Sequence, residues 1–448
     1  MGPITLAELK DRAREAGVVG AGGAGFPAAV KLAQGADSYI INGAECEPLI
    51  FTDYHILRTH MEEVLYGARR VMDAAGIQKG YLAIKEHTAR RFGFVQGQRL
   101  EYDIQVAVLP NVYPMGDEVI LIYQVLGRIV QPGGLPLSVG VIVNNVETVL
   151  NLGRALDGFP VTEKWLTVAG AVPEPVTVKV KVGTRVQDLL AGLGYEVPEG
   201  HVVLDGGPAM GNIIRWQEAA VTKTTKGILI LPEDIPAITA KLGDAKRQID
   251  RASSVCCQCT LCTEMCPRAL LGYGLAPHRT VRSVASTAQE HPEDFLSASV
   301  CCGCGVCDLV ACCQGILPRK VMMQVRGDVA AKKMKYQQQG PVEPNPDRDF
   351  RLLPNKRFKA MSGVAPFDRM VAKLKDFSPA QEKLVLPLKQ HVGAPAQCQV
   401  QVGDEVAAGA VLAEAAPGVS ARIHAPAAGR VTRVTDRYIE LALGQKAQ

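Results

Sequence analysis

Two short runs of cysteine carry the most legible chemistry in this chain. Cys256, Cys259, Cys262 and Cys266 are spaced C-x2-C-x2-C-x3-C, with Pro267 directly after the last. Cys301, Cys304, Cys307 and Cys312 repeat the pattern with one extra residue before the fourth thiol. Three thiolates two residues apart wrap a tight loop around three corners of an iron–sulfur cubane, and soft sulfur donors suit iron. In modules of this spacing the fourth cysteine of each run ligates the cluster of the other. The pattern predicts one [4Fe–4S] cluster on Cys256, Cys259, Cys262 and Cys312, and a second on Cys301, Cys304, Cys307 and Cys266. Gly303 and Gly305 fit a loop whose backbone N–H groups must come close to sulfur. Structural zinc has no use for so many regularly spaced thiols, and a disulfide framework belongs to small secreted domains. Cys257, Cys302 and Cys313 each adjoin a ligand, so spacing leaves the register open within the pairs Cys256/Cys257, Cys301/Cys302 and Cys312/Cys313.

A second constellation lies near the N-terminus. Gly20, Gly22 and Gly25 read G-x-G-x-x-G, with Gly23 inside and Phe26-Pro27 after. Such a loop lets backbone N–H groups face a phosphate or a flat ring without interference from side chains. In a dinucleotide fold it follows a strand and opens a helix; here an amphipathic helix over 4–16 precedes it. Further on, a buried strand over 38–42 runs into Gly43-Ala44-Glu45-Cys46-Glu47-Pro48. Ligands collect at such strand ends in α/β sheets, and two glutamates there can hydrogen-bond a ribose or a carboxamide. Their ordinary alternative is a solvated turn. The loop at 113–118 starts a helix and places acids at its positive end.

The elements that must position these groups follow from periodicity. A helix over 55–75, strands over 80–85 and 103–109, a helix over 116–126 and a strand over 139–143 continue an α/β alternation. From residue 165 the pattern changes to short β runs around one helix at 184–193, a small α+β unit of β-grasp type. Residues 338–380 are rich in proline and charge near their start and read as a linker. The tail alternates as β structure, with 400–409 and 423–431 as two halves of a lipoyl-like sandwich. No lysine lies between Lys389 and Lys446 to carry a swinging arm, and His424 reads as structural.

Bulk properties bound the rest. A chain of 448 residues is too long for a single ordinary core. Its net charge of +4 gives no reason to expect a nucleic-acid partner. The uncharged run 129–146 is broken by Pro132, Gly133, Gly134 and Pro136, so no transmembrane helix is expected. Cysteine usage suits a reducing, cytoplasmic compartment.

The motifs at 20–27, 42–48, 113–118 and 132–136, followed by a β-grasp unit, two clusters and a sandwich, resemble the Rnf complex C subunit and its soluble relatives. The N-terminal part is also similar to the NADH- and flavin-binding subunit of respiratory complex I. A C-terminal sandwich matches the cobalamin reductases of propanediol-utilisation microcompartments, whereas in the Rnf protein the sandwich comes first. The resemblance implies a Rossmann-like FMN/NADH domain over 1–160 and a β-grasp domain of the soluble-ligand-binding type over 161–238. It further implies a bis-[4Fe–4S] ferredoxin-like domain over 239–337, the linker over 338–380, and a barrel-sandwich hybrid domain over 381–448. Gly20 opens the implied cofactor loop, and Gly22, Gly23, Gly25 and Phe26 would line the flavin and nicotinamide. Glu45 and Glu47 would meet NADH or the flavin side. Asn144 and Asn145 would contact the ribityl-phosphate end of FMN, with Tyr113, Gly116 and Glu118 flanking the pocket. Cys46 stands where complex I has a serine.

The implied reaction passes a hydride from NADH to FMN and single electrons through both clusters to cobalamin, with no side chain acting as general acid or base. The implied partners are cobalamin or another acceptor, an adenosyltransferase and a microcompartment shell protein. The alternatives are a microcompartment conduit with a different acceptor and an NADH:ferredoxin-type Rnf subunit. No corrinoid-binding D-x-H-x-x-G loop occurs in the chain.

Overall fold

A computed structural model describes residues 4–286 and 291–444. Its N-terminal unit is built on four parallel strands: β1 Ser38–Gly43, β2 Lys79–Lys85, β3 Ile104–Leu109 and β4 Val141–Asn145. They lie in the order β3-β2-β1-β4. β1 buries Tyr39, Ile40 and Ile41 completely, as expected where helices cover both faces of a parallel sheet. Helix α1 (Leu6–Glu15) begins at a capping box in which the Thr5 hydroxyl accepts from the Glu8 N–H and the Glu8 carboxylate accepts from the Thr5 N–H. The long α2 (Thr52–Ala75) crosses α4 (Val146–Leu156) at a pair of glycines. A Cβ on Gly67 would stand 2.8 Å from the Val149 carbonyl and 3.2 Å from the Gly153 Cα, so nothing larger lets the helices approach this closely. Between them in sequence, α3 (Glu118–Leu126) follows the 113–118 loop.

The expected strand over 139–143 starts later. Pro136–Val139 forms a turn of 3-10 helix, and Gly140 takes a φ of +73°, so extended backbone resumes only at Val141.

The second unit has strands β5 Glu163–Gly170, β6 Val176–Lys181, β7 His201–Asp205 and β8 Gly227–Pro232. Their order is β6-β5-β8-β7, with the central β5 and β8 parallel and both outer pairings antiparallel. With α5 (Val186–Leu193) supplying Leu189 and Leu190 to its core, this is the β-grasp arrangement. The cysteine module packs α6 (Ala245–Val255), α7 (Pro277–Ser286) and α8 (Pro318–Ala331) together. The C-terminal unit closes a four-stranded and a three-stranded antiparallel sheet over Leu384, Leu386, Leu412, Ile423, Ile439 and Leu441.

The segment read as a linker is a folded strap. Leu353–Pro354 pairs antiparallel with Val112–Tyr113, and Phe358 stacks on Tyr113 at 4.0 Å between ring centres. Lys373–Leu374 then adds a parallel edge to β6. Proline and charge are compatible with this because each pairing uses only two residues of backbone.

The first two units share a buried ion pair. Lys164 on β5 and Glu147 on α4 are each 1% exposed, with Nζ and Oε2 2.5 Å apart, and Glu147 also accepts the Trp165 N–H at 3.2 Å. Removing one partner strands the other charge in a dry interface, at a cost of about 3–5 kcal/mol. Lys164→Met should lower the unfolding free energy read from urea titration by about 3–5 kcal/mol, and Lys164→Met with Glu147→Leu should recover most of it. A single variant as stable as the parent would remove the pair from any structural role.

Candidate electron-transfer site

The glycine loop sits at the carboxyl end of the parallel sheet. Val19 and Pro27 bridge its base, the Gly20 N–H donates to the Phe26 carbonyl at 2.9 Å, and the Ala21 N–H donates to the Thr148 hydroxyl at 2.9 Å. Gly22, Gly23 and Ala24 at its tip are exposed. A Cβ on Gly22 would press to 3.0 Å of the Asn145 side chain, a tight fit, whereas Gly25 (φ +74°) would meet Thr224 at 2.6 Å and His391 at 2.9 Å and demands glycine. Three helix N-termini open around this end of the sheet, those of α2, α3 and α4. Each is capped by a side chain, Glu45 on α2, Asp117 on α3 and Asn145 on α4, and the helix dipoles favour negative charge at this end. Asn145 caps α4 through the Glu147 N–H at 3.0 Å and donates to Asp53 at 2.8 Å, while buried Asn144 accepts from the Tyr39 hydroxyl at 3.1 Å. Glu118 pairs with Lys31 at 2.8 Å.

The two glutamates of the 42–48 loop are engaged by protein groups. Glu45 caps α2, accepting from the Thr52 hydroxyl at 3.0 Å and the Asp53 N–H at 2.8 Å. Glu47 reaches into the β-grasp unit and accepts the Ala209 and Met210 N–H groups at 2.9 and 3.0 Å. A Cβ on Gly207 would collide with its carboxylate, which accounts for glycine there. Between them the Cys46 thiol takes the Gly116 N–H, and Gly116 accepts from Asn42 at 3.0 Å. Tyr113 does not open onto the loop. It is 3% exposed, and its hydroxyl donates to the Cys304 carbonyl at 2.8 Å.

Sequence reasoning missed several groups here. Lys85 ends β2 fully buried beside the Cys46 thiol, and burial pulls its pKa down while that thiol partly offsets the shift. Asp53 and Lys226 form an ion pair at 2.5 Å behind Asn145. The signal available for Lys85 was a lone cation closing an apolar strand at a ligand-collecting end. Lys226 had none, because it arrives from the next domain. His391 and Val392 of the sandwich also brace the loop, the Val392 N–H donating to the Ala24 carbonyl at 2.8 Å.

In the cysteine module, Cys256, Cys257, Cys259, Cys262, Cys312 and Cys313 line one cavity at the surface. The second set is internal: Cys266, Cys304 and Cys307 are buried, with Cys301 and Cys302 beside them. The fourth cysteine of each run thus faces the other run. The extra residue before Cys312 is absorbed by a single π-helical turn over Cys307–Ala311, closed by the Cys312 N–H on the Cys307 carbonyl at 3.1 Å. Gly303 and Gly305 adopt φ of +72° and +78°, and the Gly303 N–H points at the Cys301 sulfur at 3.4 Å. Burial, then neighbouring thiols, push the Cys262 and Cys301 thiols up to about 12. Soft donors packed this way without proton partners fit an iron–sulfur cation. The open glycine tip, the helix N-termini and the buried Lys85 amine fit an anionic flavin.

Residues 13–154 match the family described as Nuo51 FMN-binding domain, 255–317 the 4Fe-4S dicluster domain, and 369–447 the RnfC barrel sandwich hybrid domain. The chain is 40% identical to cobalamin reductase PduS of Salmonella typhimurium over 98% of both chains. It belongs to the cobalamin reductase PduS family. The Citrobacter freundii member is 38% identical over 97% of this chain and 96% of its own. The C subunit of the proton-translocating ferredoxin:NAD(+) oxidoreductase complex of Clostridium ljungdahlii is 32% identical over 60% of this chain and 57% of its own. This family member is an oxidoreductase of flavin and iron–sulfur type, related also to the Rnf complex C subunit as the domain content implied. Among the described residues, no helix is long and apolar enough to cross a membrane.

Burial, and secondarily the Asp53 carboxylate, raise the Glu45 pKa from 4.5 to about 7. Folded Glu45 therefore holds its proton over a range in which the unfolded chain has lost it. Its contribution to stability is full below the ordinary value and is lost as pH rises through about 7. Glu45→Gln, neutral throughout, should flatten that part of the profile of thermal midpoint against pH. Parallel profiles for parent and variant would show that Glu45 ionises normally.

Proposed function

We propose that the chain is an NADH-dependent reductase that delivers single electrons to cobalamin through a buried and then an exposed cluster. One observation carries the reading: the Tyr113 hydroxyl bound to the Cys304 carbonyl joins the strand-end loops directly to the internal cysteine set. When bound, FMN would take a hydride from NADH and the two clusters would pass its electrons singly to cob(III)alamin and cob(II)alamin.

The chain's own residues supply position and access. Gly20, Gly22, Gly23 and Gly25 keep the loop free of side chains, with Phe26 behind them, and the α2, α3 and α4 N-termini with Asn144 and Asn145 would hold the phosphate end. Tyr113 and Phe358, stacked at 4.0 Å, wall off the passage from water. Cys266, Cys301, Cys304 and Cys307 would bind the internal cluster; Cys256, Cys259, Cys262 and Cys312 the outer one. Cys259 is exposed whereas Cys304 and Cys307 are buried, so the outer set is where a large acceptor makes contact. The high identity to relatives named cobalamin reductase supports cobalamin as that acceptor. Its reduced form would pass to an adenosyltransferase within a microcompartment.

The test is anaerobic. The chain is reconstituted with FMN, iron and sulfide and given NADH, then hydroxocobalamin, while flavin absorbance, cluster EPR and the cob(I)alamin band are followed. Flavin bleaching, cluster signals and then cobalamin reduction are expected. Reduced clusters with oxidised cobalamin would sink the acceptor, and unbleached flavin would sink the NADH site. Gly22→Val, which fills the loop against Asn145, should lower FMN content at least tenfold while leaving iron content unchanged.

A further inference from the structure

With Cys256, Cys259, Cys262 and Cys312 taken as the outer ligands, Cys257 and Cys313 are left over, yet their sulfurs gather with that of Cys259 within 4.8 Å of one another. They follow Cys256 and Cys312, ligands contributed to the same cluster by opposite halves of the module. Their sulfurs stand 3.8 Å apart across 56 positions of sequence, and both residues are exposed. A disulfide needs about 2.05 Å, a closure that rotation of two exposed side chains can supply. Cys302, the third cysteine beside a ligand, is half-buried against Cys304 and meets no such partner from the other run.

We propose that Cys257 and Cys313 form a reversible disulfide that staples together the two halves holding the outer cluster. The oxidant is a low-molecular-weight disulfide of the glutathione type. The Cys257 thiolate attacks one glutathione sulfur; that S–S bond breaks and one glutathione thiolate leaves. The Cys313 thiolate then attacks the Cys257 sulfur of the mixed disulfide and expels the second glutathione. One S–S bond is exchanged for another, two electrons end on the glutathione pair, and the two thiol protons pass to its thiolates. Exposed disulfides of this kind are the readily reduced ones. Because each member is the immediate neighbour of a ligand, the staple fixes Cys312 against the loop of Cys256, Cys259 and Cys262.

The geometry also sets the competing reaction. The Cys259 sulfur lies equally 3.8 Å from that of Cys313, and a Cys259–Cys313 bond would take a ligand from the cluster. With Cys259 committed to the cluster, Cys257 is the free thiol within reach of Cys313. The inference rests on the assignment of Cys256, Cys259 and Cys312 as ligands.

The full chain, reconstituted with iron and sulfide, is incubated anaerobically with oxidised glutathione and mapped by non-reducing peptide mass spectrometry alongside an iron assay. A Cys257–Cys313 cross-link, a fall in free thiols by one pair, unchanged iron and full reversal by dithiothreitol are expected. Cys313→Ser should leave Cys257 as a mixed glutathione disulfide. Cys257→Ser should divert the bond to Cys259–Cys313, with iron lost from the outer cluster. A Cys259–Cys313 bond in the parent chain, or separate glutathione adducts on Cys257 and Cys313, would overturn the proposal. Absence of iron after reconstitution would instead fail the cluster assignment, and the same map scores the cross-link in that iron-free chain.

Discussion

The hydrogen bond from Tyr113 to the Cys304 carbonyl is the contact on which the arrangement of this molecule turns. A tyrosine hydroxyl 3% exposed must find an acceptor or forfeit its desolvation, and the acceptor it finds belongs to the internal cysteine loop. Its ring stacks on Phe358 of the strap, and its own two-residue strand pairs with Leu353–Pro354. One side chain therefore fixes three pieces of chain distant in sequence. Glu47 extends the same junction to the β-grasp unit by taking two backbone N–H groups at 2.9 and 3.0 Å. Arg319 closes it from the other side, donating to the Ala209 carbonyl at 2.7 Å. The flavin-side loops and the cysteine module are thus one packed body at this point.

What could be read from sequence was whatever a local rule governs. Cysteine spacing sets local geometry in a dozen residues, so the placement of each run's fourth cysteine beside the other run was legible, and the π-helical turn over Cys307–Ala311 explains why one extra residue does not disturb it. Parallel strands declared themselves as unbroken apolar runs, and Gly22 and Gly25 as members of a glycine loop, though only the structure shows how little room a Cβ would have beside Asn145, Thr224 and His391. The strap escaped because its content is tertiary: proline and charge across its first half look unstructured until Phe358 and Leu353 meet Tyr113 and Val112. The glutamates were legible as polar groups at a strand end, but their partners, the Asp53 and Ala209 amides, come from elements that sequence cannot place. Lys226 escaped for the same reason.

Two of the buried ion pairs lie across a boundary between units. Lys164 with Glu147 and Lys226 with Asp53 both join the α/β sheet to the β-grasp unit. Lys223, fully desolvated and with its pKa drawn down to about 7, donates to the Gly17 and Arg422 carbonyls at 2.7 Å each and so ties three units at once. Ionic contacts of this sort add less stability than apolar packing would, but a misplaced unit leaves each charge unmatched. They therefore select one relative placement of the domains. Lys85, by contrast, is a buried amine at the carboxyl end of the sheet with the Cys46 thiol of its own unit beside it.

The sandwich domain illustrates how a fold can keep its geometry after a change of use. Lipoyl-like sandwiches expose a lysine at a hairpin tip, and this one has none between Lys389 and Lys446. Its loop at 390–392 is instead spent on the glycine loop: the His391 side chain and Cα fill the space beside Gly25, and the Val392 N–H holds the Ala24 carbonyl at 2.8 Å. His391 is itself held, accepting the Ala421 N–H at 3.1 Å through Nε2. A loop whose tip is three small residues has little side-chain packing of its own and would sample many conformations. Bracing it from outside leaves its tip bare of side chains while removing that freedom. A cofactor-binding loop needs both at once, and residues 20–27 alone cannot provide the second.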